Sequence, residues 1–319
     1  MAPVPDAVTL DPPLSGAGRH DRAAVRDLVL PWFAEHARDL PWRAPDRTPW
    51  GVLVSEVMLQ QTPVVRVEPA WRAWMTRWPE PADLAAASPA DVLRAWDRLG
   101  YPRRALRLAD CARAVVERHG GRVPSDEEAL LALPGIGAYT AAAVRAFAFG
   151  LRSVVLDTNV RRVLARVAAG TALPAPSLTV AERGLAESFV PDDDATASRW
   201  AAASMELGAL VCTARSPRCG QCPLRERCAW LRAGSPPDPH VLRRRTQAWT
   251  GTDRQVRGRL MALLREALEP VPAGAVAAVW PDAAQRERCL ASLLADGLVQ
   301  VLPGTDDDPE RARYRLPTT

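Results

Sequence analysis

Four cysteines within seventeen residues constrain this 319-residue chain more than any other feature of its sequence. They are Cys212, Cys219, Cys222 and Cys228, and no histidine lies between the first and the last. Disulfide frameworks are typical of short secreted chains, whereas this chain is long and its first residues carry no signal-peptide pattern. The spacing therefore predicts one metal site rather than a set of disulfides.

Two kinds of metal centre could use these cysteines. Structural zinc usually binds paired C-x2-C knuckles, or a C-x2-C followed by a pair of histidines. Here a single C-x2-C is flanked by lone cysteines. A [4Fe-4S] cluster takes one thiolate for each iron, which suits four cysteines from one loop. The sequence therefore favours one [4Fe-4S] cluster, with structural zinc as the alternative.

The cysteine spacing, with Pro223 directly after the third cysteine, resembles the cluster loop of the endonuclease III and adenine DNA glycosylase family. Members of that family are helix-hairpin-helix DNA repair enzymes. The resemblance implies a [4Fe-4S] cofactor and double-stranded DNA as the partner. It also implies a DNA-gripping hairpin and a catalytic aspartate far upstream, and the sequence has a candidate for each.

The candidate hairpin is the Pro-Gly-x-Gly turn within residues 133–140, which leads into an apolar run typical of a helix. Backbone N–H groups at such a turn can bind a phosphate oxygen, and the dipole of the following helix adds to the attraction. Gly135 and Gly137 could also form only a tight turn between two helices. The resemblance favours DNA binding at both glycines.

Asp157 follows an apolar run and precedes a stretch with apolar residues at positions 160, 163, 164 and 167, the spacing of a helix face. An aspartate there is a typical helix N-cap, and on the residues alone this is the better interpretation. The resemblance implies a second role, because the matching aspartate of the family supports the positive charge on the sugar as the base leaves. It also implies that Tyr139 and Asn159 orient the sugar, a phosphate or the water.

Glu56 is the candidate proton donor, since adenine is a poor leaving group until it is protonated. Its neighbours one helical turn away are apolar, and they would raise the pKa of this carboxyl and keep it protonated. The alternative is a glutamate on the solvated edge of an amphipathic helix. The phrase Ser-Glu-Val-Met-Leu-Gln-Gln-Thr resembles the signature of bacterial adenine DNA glycosylases, and endonuclease III lacks this glutamate.

The chain contains 41 arginines and no lysine. Glycosylases that also cleave the abasic strand form a Schiff base through a lysine amine, and a guanidinium cannot replace that amine. By resemblance, the lysine of endonuclease III corresponds to Tyr139. The sequence therefore predicts an enzyme without lysine-dependent lyase activity, although a GC-rich genome is enough to explain why the lysines are missing.

Positive charge is concentrated in the part of the chain that carries these motifs. From residue 19 to 245 there are 32 arginines and 25 acidic residues, whereas from 246 onward there are 9 arginines and 10 acidic residues. A basic surface suits a polyanion such as DNA. Arg215 and Arg218 lie inside the cysteine loop, where they could contact phosphates, although a single arginine is more often only a solvated surface residue.

The resemblance assigns two further groups of residues, one position at a time. Gln61 matches the family's wedge residue, and Tyr101 matches the aromatic residue that intercalates beside the opposite base. Pro102 stands where a second tyrosine usually follows. The positions that line the adenine pocket in related enzymes are Arg38, Leu40, Trp42 and Arg43. For Trp42 a place in the core is as good an interpretation.

Hydrophobic spacing predicts an all-α region with two helical lobes and a cleft between them. The expected segments are a disordered tail (1–20), a glycosylase domain (21–232), an arginine- and proline-rich linker (233–250) and a C-terminal module (251–319). By resemblance, one lobe of six helices covers about 50–150, and a cluster lobe combines about 21–49 with 151–232.

The C-terminal module is predicted to be a small α+β fold similar to a winged helix. Two helices precede a hairpin formed by residues 298–302 and 314–316 around an acidic turn at 306–308. The usual adenine DNA glycosylase has a larger, β-rich, Nudix-like domain here, which recognises the oxidised guanine opposite the adenine. This departure leaves recognition of 8-oxoguanine without an assigned domain.

Together these features predict a monomeric cytoplasmic DNA glycosylase that removes adenine opposite 8-oxoguanine or guanine, with no membrane association. Two alternatives remain. A thymine or uracil glycosylase of the same fold could keep Glu56 and Tyr139. A non-catalytic iron-sulfur DNA-binding regulator would explain the cluster and the hairpin, but it would not explain Glu56 together with Asp157.

Overall fold

The computed structural model describes residues 19–241, 249–302 and 312–318. The tail predicted at 1–20 lies almost entirely outside the described residues. The acidic turn at 306–308 lies wholly outside them, and the linker at 233–250 lies partly outside.

The fold is predominantly helical, as predicted, with one small sheet near the C-terminus. In chain order the helices are α1 (Arg19–His36), α2 (Pro49–Leu59), α3 (Val64–Arg77), α4 (Pro81–Ala85), α5 (Pro89–Trp96), α6 (Arg103–His119), α7 (Glu127–Leu131), α8 (Ala138–Phe149), α9 (Thr158–Val167), α10 (Val180–Phe189), α11 (Asp194–Leu210), α12 (Ala229–Arg232), α13 (Asp253–Glu266), α14 (Ala273–Ala277) and α15 (Ala283–Ala295). The strands are β1 (Val271–Pro272), β2 (Gln300–Leu302) and β3 (Arg313–Arg315).

The described residues form two compact units. The first, here called the cluster unit, contains residues 19–38 and 145–241. The second, here called the hairpin unit, contains residues 39–144, 249–302 and 312–318. The lobe boundaries expected from the sequence stay a prediction.

Helices α1, α9, α10 and α11 enclose the apolar core of the cluster unit. Val29, Leu164, Trp200 and Leu207 are among its most buried members. The apolar positions 160, 163, 164 and 167 of α9 all belong to this core, so the helix face predicted from the sequence is the face that is buried. Burial of such a face contributes more to the stability of a helix of this length than intrinsic propensity does.

A buried ion pair joins the end of α1 to α11 inside the cluster unit. The carboxylate of Glu206 is fully buried, and its Oε1 accepts hydrogen bonds from the backbone N–H (3.0 Å) and Nε (2.7 Å) of Arg38. Its Oε2 accepts a third from Nη2 of the same residue (2.7 Å). The bonded carboxylate raises the pKa of Arg38. The guanidinium fork fits the carboxylate, so Arg38 has a structural partner in addition to its predicted place in the adenine pocket.

The hairpin unit begins with helices whose first residue is proline. Pro49, Pro81 and Pro89 open α2, α4 and α5, where the missing N–H costs nothing because the first turn has no intrahelical acceptor. Thr48 and Ser88 cap two of these helices through their hydroxyls. Capping fixes where each helix starts, which matters most for α2 because it carries Glu56.

Tryptophans and apolar side chains fill the centre of the hairpin unit. The ring of Trp74 makes edge-on contacts with Trp78 and Trp96, with centroids 4.6 and 5.6 Å away. Helix α2 is buried at every residue from 50 to 58. It therefore lies in the core of this unit rather than on an amphipathic edge.

The C-terminal module belongs to the hairpin unit and follows the winged-helix-like order of elements predicted from the sequence. Strands β2 and β3 pair antiparallel, with Val301 opposite Tyr314. A third strand, β1, pairs with the other side of β3 and was not predicted, because two residues that include Pro272 give no period-two pattern. None of the helices built from the described residues combines the length and apolar character needed to cross a bilayer.

The module contacts the helices that precede it in the same unit. Arg94 donates to the carbonyl of Ala267 (3.3 Å), and Arg103 forms an ion pair with Asp296 (3.1 Å). These contacts attach the module to α5 and α6.

The Arg38–Glu206 pair generates a stability prediction. Replacing Arg38 with alanine removes the arginine partner of a buried carboxylate, which costs about 3 kcal/mol, the low end for such pairs because Arg38 is one-third exposed. For a protein of this size we expect the thermal unfolding midpoint to fall by roughly 6 to 12 °C. Calorimetry or circular dichroism would measure the change.

Arg72→Ala is the matched control. Arg72 forms an exposed i,i+4 ion pair with Glu68 at 2.9 Å. Such pairs contribute about 0.3 to 0.5 kcal/mol, so the midpoint should fall by no more than about 2 °C. An Arg38→Ala midpoint as close to wild type as that of the control would show that the buried pair does not stabilise the fold.

Candidate active site and cluster loop

Glu56 is a buried carboxyl held by a tyrosine. Only 5 % of Glu56 is exposed, and its Oε2 accepts a hydrogen bond of 3.0 Å from the hydroxyl of Tyr139. The solvated-edge alternative for this glutamate is therefore wrong. Tyr139 lies in the first turn of α8, so the position of the carboxyl depends on the hairpin as well as on α2.

A second hydrogen bond joins the same two helices. Nε2 of Gln60, at the end of α2, donates to Oγ1 of Thr140 at 3.4 Å. Adjacent residues of α8 thus contact α2 at positions four residues apart, which is one turn of its surface. The two bonds fix both the rotation and the axial position of α2 relative to the hairpin.

The predicted hairpin is present as α7, a turn and α8. Gly135 has a φ of +79°, a conformation that glycine adopts without strain, and a Cβ there would lie 3.2 Å from Cβ of Arg107. Gly135 and Gly137 are both exposed. The backbone of the turn can therefore approach a phosphate closely, as the predicted DNA-binding role requires.

The two residues predicted to insert into DNA share an unusual backbone conformation. Gln61 has a φ of +57° and Tyr101 a φ of +49°, and both side chains are exposed. Arg254 of α13 lies over the Tyr101 ring, with its guanidinium carbon 4.9 Å from the centroid. The C-terminal module therefore contacts the residue predicted to intercalate.

Asp157 is the N-cap of α9, as the sequence indicated. Its Oδ1 accepts from the backbone N–H groups of Asn159 (2.9 Å) and Val160 (2.7 Å), and its Oδ2 accepts from Nδ2 of Asn159 (2.6 Å). Burial raises the pKa of Asp157, while these hydrogen bonds and the charge of Arg162 act in the opposite direction. The capping role does not compete with the predicted catalytic one, because the same bonds orient the carboxylate.

Arg162 connects Asn159 to the cysteine loop within the cluster unit. Its Nη2 donates to Oδ1 of Asn159 (2.7 Å) and to the carbonyl of Gly208 (2.6 Å), while Nε donates to the carbonyl of Cys212 (2.6 Å). A continuous chain of hydrogen bonds therefore runs from Asp157 to a cysteine of the loop. Arg162 was not predicted from the sequence, because at helical spacing position 162 lies on the side of α9 opposite the apolar positions 160, 163, 164 and 167, where an arginine is typical of a solvated surface.

Gly208 allows α11 to approach α9 at this point. A Cβ on Gly208 would lie 2.7 Å from Cβ of Asn159 and 2.8 Å from its carbonyl oxygen, closer than real contacts allow. The tight approach brings the Gly208 carbonyl within reach of Arg162. Helix packing and the orientation of Asn159 thus depend on the same glycine.

The four cysteines line one cavity of the cluster unit. Apolar side chains and Arg166 form the rest of its wall. Arg166 donates from Nη1 to Sγ of Cys212 (3.3 Å) and from the same atom to the carbonyl of Thr213 (2.8 Å). Among the described residues, no three His, Cys, Asp or Glu side chains are arranged around one point as ligands of a single metal ion. Thiols on the wall of one apolar cavity fit a [4Fe-4S] cluster, which binds one thiolate at each iron.

Charge at this cavity also fits a thiolate-bound cluster. Burial raises the pKa of Cys222 to about 11 and raises that of Cys228 as well. Iron binds thiolates, so assembly of the cluster must release the protons of these thiols. The buried guanidinium of Arg166 supplies a positive charge beside the resulting thiolates.

The remaining predicted residues lie at separate places. Arg215 and Arg218 are exposed on the cysteine loop, where phosphates could reach them. Leu40 and Trp42 are buried in the hairpin unit, and Trp42 contacts Trp71 edge-on with centroids 5.7 Å apart. Arg43 is partly buried beside them. Their roles in DNA and adenine binding stay predictions.

The chain matches two known families. Residues 54–186 match the HhH-GPD superfamily base excision DNA repair proteins. Residues 212–228 match the iron-sulfur binding domain of endonuclease III, a range that begins and ends at the outer cysteines. The second match confirms the cluster loop, and the cofactor of this protein is a [4Fe-4S] cluster.

Individual relatives agree with these matches. The adenine DNA glycosylase of Mycolicibacterium smegmatis is 53 % identical over 273 residues, which is 85 % of this chain and 91 % of that protein. A thermostable thymine-DNA glycosylase superposes with a TM-score of 0.60 at 28 % identity, over 67 % of this chain and 98 % of that one. Endonuclease III, trapped as a covalent intermediate with DNA, shares the fold with a TM-score of 0.59 at 22 % identity, over 69 % of this chain and 99 % of that one. This chain therefore belongs to the adenine DNA glycosylase family of helix-hairpin-helix base excision repair proteins.

Proposed function

We propose that this protein excises adenine mispaired with 8-oxoguanine or guanine by hydrolysing its N-glycosidic bond, and that it leaves the abasic strand intact. The observation that carries the proposal is the buried carboxyl of Glu56, oriented by the hydroxyl of Tyr139. A carboxyl in that environment is suited to donate a proton to a base. The relative from Mycolicibacterium smegmatis bears the corresponding name.

Glu56 acts as the general acid in this mechanism. The extruded adenine accepts its proton at a ring nitrogen, so the base departs as a neutral leaving group and the sugar acquires oxocarbenium character. Tyr139 fixes the orientation of the carboxyl through its hydrogen bond. After proton transfer, the Glu56 carboxylate serves as the base that activates water.

Asp157 stabilises the positive sugar through its carboxylate. The hydrogen bonds from Asn159 and Val160 hold both oxygens in place before substrate arrives. Because burial raises the pKa of Asp157, the reactive anion is present above that raised pKa and is lost as the pH falls through it. Asn159 contributes by orienting Asp157.

The other predicted residues bind DNA. Gln61 and Tyr101 fill the space that the extruded adenine leaves in the base stack. The backbone at Gly135 and Gly137, together with the guanidinium groups of Arg215 and Arg218, binds phosphates. The adenine pocket is lined by Arg38, Leu40, Trp42 and Arg43.

The cluster organises the loop that carries these arginines. Cys212, Cys219, Cys222 and Cys228 hold it, and glycosidic hydrolysis transfers no electrons, so a structural role is sufficient. Arg162 and Arg166 attach the loop to α9, the helix that Asp157 caps. An ordered loop therefore supports both phosphate binding and the position of Asp157.

A second candidate is excision of thymine or uracil opposite guanine. The structural similarity to a thymine-DNA glycosylase supports it, at a TM-score of 0.60. The higher identity to an adenine DNA glycosylase, 53 %, favours adenine.

A gel assay with four duplexes tests the proposal. They contain A opposite 8-oxoguanine, A opposite G, T opposite G, and U opposite G, and an A opposite T duplex is the control. We expect alkali-labile abasic sites only in the first two, because the proposed site protonates adenine. Abasic sites only in the T and U duplexes would establish the second candidate, and binding without any abasic product would establish a non-catalytic DNA-binding protein.

The absence of lysine from the sequence generates a prediction about the product. Without a lysine amine, the enzyme cannot hold the opened sugar as a lysine Schiff base, so borohydride should trap little or no enzyme-DNA complex. The abasic strand should stay intact until alkali is added. A variant that lacks residues 1–18 and has a new N-terminal amine at a different position is the control for the α-amine. Efficient trapping by both proteins would show that another nucleophile exists and that the enzyme is not monofunctional.

A further inference from the structure

Both residues predicted to insert into DNA, Gln61 and Tyr101, have a strained backbone conformation. The non-glycine residues with positive φ are Gln61, Asp97, Tyr101 and Ser235, and this holds for the part of the chain that the structure describes. Residues with a Cβ rarely adopt this conformation, and they keep it only where surrounding contacts impose it. The contacts that hold Gln61 and Tyr101 should therefore be identifiable.

One guanidinium, that of Arg104 in α6, bonds to the backbone beside both residues. Its Nη1 donates to the carbonyls of Val57 (2.9 Å) and Gln60 at the end of α2, the residue before Gln61. Its Nη2 donates to the carbonyls of Leu99 (3.4 Å) and Gly100 (3.2 Å), directly before Tyr101. Two segments forty residues apart in the sequence thus share one partner.

The acceptors explain why an arginine is needed. The last carbonyls of α2 have no N–H partner within their helix and lie at its negative end, which a cation stabilises. The loop before Tyr101 presents two more carbonyls. Only the planar fork of arginine has donors directed at both groups at once, and a lysine ammonium would reach one of them.

Further contacts leave the loop little freedom. Oγ1 of Thr62 accepts from Nη2 of Arg104 (3.2 Å) and donates to the carbonyl of Leu99 (3.2 Å). The indole N–H of Trp96 donates to the carbonyl of Gly100 (2.9 Å). The guanidinium carbon of Arg104 lies 5.5 Å from the centroid of the Tyr101 ring. The backbone that carries the exposed side chains of Gln61 and Tyr101 is therefore held by several hydrogen bonds.

We propose that Arg104 is a positioning residue that holds Gln61 and Tyr101 in their inserting conformations before DNA binds, and so lowers the cost of extruding the target base. The inference rests on the proposed function. Such preorganisation favours extrusion because the free-energy cost of ordering and straining both segments is incurred during folding rather than during DNA binding. The carbonyls that Arg104 binds lie at the end of α2 and directly before Tyr101, so we expect it to act on extrusion rather than on proton transfer.

The test compares a substrate that must be extruded with one that is already unpaired. Single-turnover adenine release is measured on a duplex with A opposite 8-oxoguanine and on a duplex with A opposite a tetrahydrofuran abasic analogue. Arg104→Gln and Arg104→Lys are compared with Arg113→Gln, which alters an exposed ion pair with Asp110 on the same helix. Circular dichroism establishes that each variant is folded, and iron content establishes that it contains the [4Fe-4S] cluster.

Both Arg104 variants should lose about 10- to 100-fold on the paired substrate, since extrusion costs a few kcal/mol. On the unpaired substrate the loss should be at most about 3-fold, and Arg113→Gln should match wild type on both. An equal loss on both substrates in a folded Arg104 variant, no loss on either, or full recovery by Arg104→Lys would each overturn the proposal.

Further measurements distinguish failure of the Arg104 proposal from misfolding of the variants and from failure of the proposed function. If the Arg104 variants do not fold, Thr62→Val removes one of the same contacts. It should slow adenine release on the paired substrate only, and by a smaller factor than the Arg104 variants. Equal rates for Thr62→Val and wild type on the paired substrate, or an equal loss on both substrates, would overturn the proposal. Wild-type protein that releases adenine from neither substrate would instead refute the proposed function. 2-Aminopurine opposite 8-oxoguanine reports extrusion directly, and a wild-type fluorescence rise in Arg104→Gln would overturn the inference.

Discussion

The guanidinium of Arg162 is the contact on which the organisation of the cluster unit depends. It donates to Oδ1 of Asn159 and to the carbonyl of Cys212, and Asn159 in turn donates to Asp157. The carboxylate and the cluster loop are therefore parts of one hydrogen-bonded network. Loss of order in the loop would leave Nε of this buried guanidinium without the Cys212 carbonyl, and an unsatisfied buried donor is costly. The proposed structural role of the cluster therefore has a physical connection to Asp157.

The hairpin unit uses a second arginine in the same manner. Arg104 donates to carbonyls at the end of α2 and before Tyr101. In the cluster unit, Arg162 donates to carbonyls of α11 and of the cysteine loop. In each case one planar group with several donors joins segments that are distant in sequence. Lysine has a single charged nitrogen and cannot bridge in this geometry. At these two positions arginine therefore serves the structure of the protein.

Chemistry-bearing residues were predictable from the sequence where they occur in short, spaced motifs. The cysteine loop, the Pro-Gly-x-Gly turn and the helix capped by Asp157 are local patterns. Burial of Glu56 followed from its apolar neighbours. By contrast, the partners of Arg38, Arg104 and Arg162 could not be predicted, because their acceptors lie up to 168 residues away and are mostly backbone carbonyls, which carry no side-chain signature. Strand β1 was missed because it has only two residues.

The central claim is that Glu56 transfers the proton that makes adenine leave. Single-turnover adenine release by Glu56→Gln tests it most directly, because the amide keeps the shape of the side chain but cannot donate that proton. Glu117→Gln, an exposed acid on α6, is the matched control. The account predicts that Glu56→Gln loses about 100- to 10,000-fold in rate, with unchanged DNA affinity, while the control matches wild type. Near-wild-type release by Glu56→Gln would contradict the mechanism.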